Sequence, residues 1–170
     1  MVQNLTVSGT ISNSSSFTDG MFGNDDLHTM IDGTAADSNE GDFISAQGTS
    51  GLLVALTDGA GPTMLRAYGT HKIYFDSKQN VGAGTPASIK IRLLQGTTEI
   101  VPFQNCGTTS AGAFGTYTLS AAQADDITDY SDLRFEIGAT TAGMGGGDGT
   151  LFCVYLEVPD PFSPFLAFVE

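Results

Sequence analysis

The sequence predicts an all-β protein, an antiparallel β-sandwich of jelly-roll type with one short helical turn and extended arms at both ends. Short stretches of alternating apolar and polar residues recur at intervals of about 8 to 16 residues, the spacing of a sandwich. Glycine contributes 22 of the 170 residues, mostly in turns, and charged residues only 15%, against about a quarter in ordinary domains. That length suits one domain, so the chain divides into an N-terminal extended arm (1–24), a β-sandwich (25–158) and a Pro/Phe-rich C-terminal arm (159–170). No internal repeat is visible.

Leu5, Val7 and Ile11 alternate with polar residues before Ser14-Ser15-Ser16. This apolar side is too thin to fold alone, so the segment is expected to add a strand to a partner's sheet. The acidic stretch from Asp25 to Gln47 offers two short strand candidates, Leu27–Ile31 and Asp42–Ala46, and Leu52–Thr57 reads as a buried strand. From Met64 to Asp76 one face carries Leu65, Ala67, Gly69, His71, Ile73 and Phe75, and the other Arg66, Tyr68, Thr70, Lys72, Tyr74 and Asp76. That is a half-buried antiparallel strand.

Ala87–Gln95 repeats the pattern, and Gln95-Gly96-Thr97-Thr98 turns it into Glu99–Phe103 as a hairpin. Phe114–Leu119 is the next strand. Ser120 with Gln123 forms a capping box for a helical turn ending near Ile127. Leu133–Ala139 alternates again, and Thr150–Val158 is apolar on nearly both faces, as a central strand should be. The expected core is Ile89, Ile91, Leu93, Leu119, Leu133, Phe135, Ile137, Phe152, Val154 and Leu156. Gly143–Gly149 reads as a flexible loop tip.

Charge excludes several functions. The net charge is −13, from 19 acids and 6 bases, and the first 65 residues hold no Lys or Arg. Phosphate affinity depends on Lys and Arg releasing counterions, so nucleic acid is excluded, and anionic membranes are disfavoured for the same reason. The start, MVQNLTVSG, has neither a basic nor an apolar region of a signal peptide, which leads us to expect cytoplasmic synthesis. The sequons at Asn4 and Asn13 then carry no meaning, and Cys106 and Cys153 are expected as buried thiols rather than a disulfide.

Catalytic chemistry is scarce. His71 lies on an apolar strand face and His28 in the acidic segment, so neither is placed as a general base. No nucleophile elbow, zinc-protease motif or phosphate loop is present, and the glycine clusters do not join a strand to a helix. Asp37–Asp42 fails as an EF-hand because its glycine comes one residue early and position twelve is Gly48. An acidic turn or a calcium site of another kind remains. We therefore expect no enzyme, no cofactor and no assigned metal.

The C-terminus is the strongest anomaly. Three prolines keep it extended, and Phe162, Phe165, Leu166, Phe168 and Val169 are too apolar for a free tail. They must dock, either on their own sandwich or on a neighbouring subunit.

Two stretches, Ser88–Ile100 (SIKIRLLQGTTEI) and Gly115–Ile137 (GTYTLSAAQADDITDYSDLRFEI), resemble a β-sandwich module of tailed-bacteriophage virion structural proteins. In its corner, Asp129 and Asp132 can bond loop amides while the Tyr130 hydroxyl meets a backbone carbonyl. The resemblance implies a virion component: a capsid decoration (cement) protein, homo-oligomeric on the particle and bound to the major capsid protein or other virion subunits. Its arms would make the contact through Leu5, Val7, Ile11, Phe162, Phe165, Leu166, Phe168 and Val169. The alternative is a tail-fibre or receptor- and glycan-binding module.

Overall fold

The computed structural model describes residues 2–13, 17–19, 27–32, 43–46, 50–57, 70–80, 82–107, 114–140 and 142–159. Its strands are β1 (Val2–Asn13), β2 (Thr18–Asp19), β3 (Ile44–Ala46), β4 (Ser50–Leu56), β5 (Lys72–Gln79), β6 (Ile89–Gln95), β7 (Thr98–Asn105), β8 (Gly115–Thr118), β9 (Leu133–Ala139) and β10 (Gly149–Pro159). One helix, α1 (Ala121–Asp125), and 3-10 turns at Leu27–Met30 and Tyr130–Asp132 complete the described elements. The fold is the expected antiparallel β-sandwich, and every strand pair is antiparallel.

Two layers emerge from the pairing. The front sheet runs β8–β5–β10, and β10 shares its other edge between the first half of β1 and β3, which pairs β2. The back sheet runs from the second half of β1 through β4, β9 and β6 to β7. Strand β1 therefore belongs to both layers. Residues 2–6 pair β10, residues 7–13 pair β4, and register shifts at Val7/Gly9 and Thr10/Ser12 turn the corner between them.

This overturns the expectation of an N-terminal arm. Leu5 and Val7 are 1% and 3% exposed in the chain's own core, and only Ile11, at 45%, stands out to solvent. The alternation was read correctly as a strand. Its thin apolar side misled, because β1 is held mainly by backbone hydrogen bonds on both edges and contributes few core side chains.

Other expectations shift locally. The expected strand Leu27–Ile31 is instead a 3-10 turn over Leu27–Met30, yet Leu27 and Ile31 at its two ends are both fully buried. Strand β5 begins at Lys72, and the Met64–Gly69 part of the expected strand lies outside the described residues. The Ser120 capping box forms as expected, but α1 ends at Asp125. In the β6–β7 hairpin, Gly96 takes a φ of 59°, where any side chain would be strained.

The expected core is present except at Phe152, which is half-buried and packs edge-to-face on Phe43 at 5.9 Å. A register shift between Leu151 and Cys153 against β5 inserts an extra residue there and reverses the alternation. Leu151 takes the inward position, followed by Val154, Leu156 and Val158.

The glycine-rich loop after β9 is joined to the loop after β5 by backbone bonds: Gly84 N–H to Gly145 O (3.1 Å), Gly143 N–H to Thr85 O (2.7 Å) and Ala87 N–H to Gly147 O (3.0 Å). A Cβ on Gly82 would lie 2.2 Å from Gly145 O, and one on Gly146 2.1 Å from Thr85 O. The loop expected to be a flexible tip is thus packed backbone against backbone. Met144, 99% exposed, sits on it. Pro159 closes β10 opposite Val2, so it belongs to the sandwich rather than to the C-terminal arm. Phe162, Phe165, Leu166, Phe168 and Val169 lie outside the described residues.

Leu5→Ala should lower unfolding stability by about 2–5 kcal/mol, the cost of a cavity in a packed core, whereas a residue of a free arm would move it by less than about 0.5 kcal/mol. Urea denaturation of the two proteins distinguishes these outcomes.

Candidate binding face

Strand alternation decides what the front sheet shows to the outside. Ile73 and Phe75 of β5, with Val154 and Leu156 of β10, point into the core, so Lys72 and Tyr74, with Tyr155 and Glu157, face outward. The register sets them in two adjacent rows across four strands. One row is Asn4–Glu157–Lys72–Thr118, and the next is Thr6–Tyr155–Tyr74–Thr116.

The second row carries an aromatic cluster. The Tyr74 and Tyr155 rings stack with centroids 5.0 Å apart and planes 10° from parallel. Phe114, just before β8, meets both edge-on, at 6.5 Å from Tyr74 and 6.0 Å from Tyr155. Such pairs contribute about 0.5–1.5 kcal/mol beyond the area they bury. Tyr74 and Phe114 are half-buried, while Tyr155 is almost wholly covered. In the first row the Lys72 ammonium lies 3.5 Å from a Glu157 carboxylate oxygen and 5.9 Å from the Tyr74 ring centre. The Tyr74 hydroxyl and then Glu157 hold Lys72 protonated to above its ordinary range. Thr116, Thr118 and Asn4 are exposed at the margins. The face thus joins an aromatic cluster to paired charges and neutral hydrogen-bonding groups.

Two thiols are buried, Cys106 in the core and Cys153 on the outward parity of β10, in register with Asp76. Cys106 and Cys153 are both free, as expected. Burial pushes the Cys106 thiol far above its usual range and Cys153 up to about 12. Tyr155 is also raised to about 12, first by burial and then by neighbouring Tyr74.

The outer face of the back sheet has a different chemistry. Phe103 lies 4.5 Å from the Lys90 ammonium and 4.7 Å from the Arg92 guanidinium. Arg92 donates through Nε to Glu136 and through Nη1 to Glu99, both at 2.9 Å, and Arg134 donates to Asp132 at 2.7 Å. Acids match the bases there, leaving no surplus of positive charge for an anion. Among the described residues no group of three metal ligands occurs, and Asp37–Asp42 lies outside them.

The corner residues are drawn together, with two changes of partner. Asp129 accepts from the Ser131 amide at 2.9 Å, as expected, and from its hydroxyl at 2.6 Å, which holds the carboxyl below its ordinary range. Asp132 bonds the Arg134 guanidinium rather than a loop amide, because Arg134 follows on the same outer strand face. Tyr130 is buried at the corner. Its hydroxyl is 2.8 Å from His71 Nε2, in a buried pair that joins the start of β5 to the corner. Sequence reading missed Gln95, whose Oε1 accepts from the Thr128 and Asp129 amides at 2.8 and 2.9 Å. These contacts brace the fold. His71 is shut into the core beside Tyr130, and His28 lies in the first 3-10 turn.

A scan of known protein families returns no match, nor does a search of curated proteins. Among solved structures the chain is similar to TmCBM61 in complex with beta-1,4-galactotriose, at 12% identity over 91% of this chain and 86% of that one, with a TM-score of 0.40. It is similar also to the xylan-binding module CBM15, at 12% identity over 96% and 99% of the two chains and a TM-score of 0.41. A family 29 carbohydrate binding module from Piromyces equi, CBM29_1, gives 13%, 94%, 92% and 0.37 in the same order. Likeness at this level carries no functional argument, and the site is read from its own residues.

The raised acids make stability fall with alkali. Folded Cys153 and Tyr155 keep their protons to higher pH than the unfolded chain, whose thiols and phenols titrate near about 8.5 and 10. Their contribution is complete below those values and is lost as pH rises toward about 12. The urea midpoint should hold steady from about pH 7 to 8 and decline above about pH 9. A midpoint unchanged to about pH 11 would mean that neither group is buried as described.

Proposed function

We propose that this protein is a non-catalytic binding module that takes a carbohydrate on the outer face of the front sheet. The observation that carries this reading is the aromatic row Tyr74–Tyr155–Phe114 beside the Lys72–Glu157 pair. A sugar ring has an apolar face of C–H groups and a rim of hydroxyls, so it needs an aromatic surface and polar groups of both hydrogen-bonding senses within one patch. Tyr74 and Phe114 supply the surface, and Lys72, Glu157, Asn4, Thr116 and Thr118 the polar rim. Four strands span about 14 Å from first to last, enough to lay a short run of sugar rings across the sheet. The rigid, doubly paired strands β5 and β10 hold the site without rearrangement, which lowers the entropy cost of binding.

Among the described residues of this patch the Lys72 amine is held protonated beside Glu157, and the binding reading needs no nucleophile. The resemblance of 88–100 and 115–137 to phage virion modules suggests where such a face would work: on a bacteriophage particle, against glycans of the host surface. Capsid decoration through terminal arms is supported less well. Leu5 and Val7 belong to the core, and that reading now rests on the apolar residues after Pro159.

Electrophoresis through gels containing dissolved polysaccharides, or a glycan array, tests the proposal. Tyr74→Ala should weaken retention by about 2 kcal/mol or more, as loss of a central aromatic contact does, while Tyr74→Phe should retain most of it. Retention that is equal in wild type and Tyr74→Ala would place any glycan site elsewhere.

A further inference from the structure

We propose that Lys72 and Glu157 form the specificity-determining contact of this face, and that they select an uncharged polysaccharide over an acidic one. This rests on the carbohydrate reading above. The two side chains face one another across β5 and β10 in register, 3.5 Å apart, and are 35% and 19% exposed. They are therefore reachable from solvent while already neutralised by each other. Together they offer one donor head and one acceptor head at adjacent points, which matches neighbouring hydroxyls on a sugar ring: one hydroxyl accepts from the ammonium while the next donates to the carboxylate. Such charge-assisted bonds are about twice as strong as neutral ones.

The Lys72 ammonium is also near the Tyr74 ring, so the polar reader and the aromatic surface are continuous. A ligand carboxylate would gain Lys72 but meet Glu157 at the same spot, on a chain whose net charge is −13. Like charge placed against a paired carboxylate costs affinity, and the surrounding field slows its approach. An uncharged chain meets neither penalty.

The test compares the selectivity of Lys72→Met and Glu157→Gln with that of the full wild-type chain, alongside Tyr74→Ala. Retardation is measured in gels containing hydroxyethylcellulose, arabinoxylan or galactan as neutral probes, and glucuronan, polygalacturonate or alginate as acidic ones. Wild type should be retarded by at least one neutral polymer and by no acidic one, with little effect of added salt. Glu157→Gln leaves Lys72 unpaired and should shift the neutral-to-acidic preference toward acidic polymers by about tenfold. Lys72→Met should weaken retardation by the neutral polymers and gain none from the acidic ones. Acidic retardation gained in Glu157→Gln and absent in Lys72→Met supports selection by the pair. Equal weakening by both, with the preference unchanged, would reduce the pair to a structural role and overturn the proposal. Stronger wild-type retardation by acidic polymers, abolished in Tyr74→Ala, would overturn the selectivity while leaving the carbohydrate site standing. No retardation by any polymer would remove both.

Discussion

The extra residue at Phe152 decides which side of β10 faces the core. Side chains on a strand alternate with a period of two, so the parity set at one point governs all that follows. Leu151 points inward, and without the register shift against β5, Cys153, Tyr155 and Glu157 would follow it into the sandwich. A carboxylate would then be buried without its partner, at a cost of several kcal/mol. With the bulge, Val154, Leu156 and Val158 take the core, and Tyr155 and Glu157 come out opposite Tyr74 and Lys72. One backbone irregularity thus sets both the packing of the front sheet and the chemistry of its outer face.

Strand β1 makes that arrangement rigid. Its first half pairs β10 along the segment carrying Tyr155 and Glu157, and its second half pairs β4 in the other layer. The outer rows therefore lie over β10 and β5, each bonded on both sides, with β1 and β8 at the two margins. The Tyr130–His71 contact and the Gln95 clamp brace the corner leading into β9. Rigidity of this kind suits a surface that binds without moving.

Much of this was legible in the sequence, because two-residue periodicity writes strand and face directly. Leu133–Ala139 forms β9 at the expected boundaries, Ile73 and Phe75 point inward, and Ser120 with Gln123 caps the helical turn. The failures share a cause: they depend on neighbours distant in sequence. Phe152 departs from expectation because a bulge leaves no mark on a run that is apolar on nearly both faces. Leu5 and Val7 were given to a partner because backbone pairing on two edges does not show in side-chain pattern. The aromatic face was missed because Tyr74 and Tyr155 lie on strands far apart in the chain, and only the β5–β10 register brings them together. Gln95, read as part of a turn, signals its role only once the Thr128–Asp129 amides are placed beside it.

The central claim is that the outer rows of the front sheet meet a sugar. Amide and aromatic chemical-shift mapping on the full chain, titrated with a neutral oligosaccharide cut from whichever polymer retards it, tests this most directly. Shifts should concentrate on Tyr74, Phe114, Lys72, Glu157 and the Thr116–Thr118 margin, with β6, β7 and β9 silent. Perturbations centred on Phe103, Lys90 and Arg92, with the Tyr74 ring unmoved, would contradict the account.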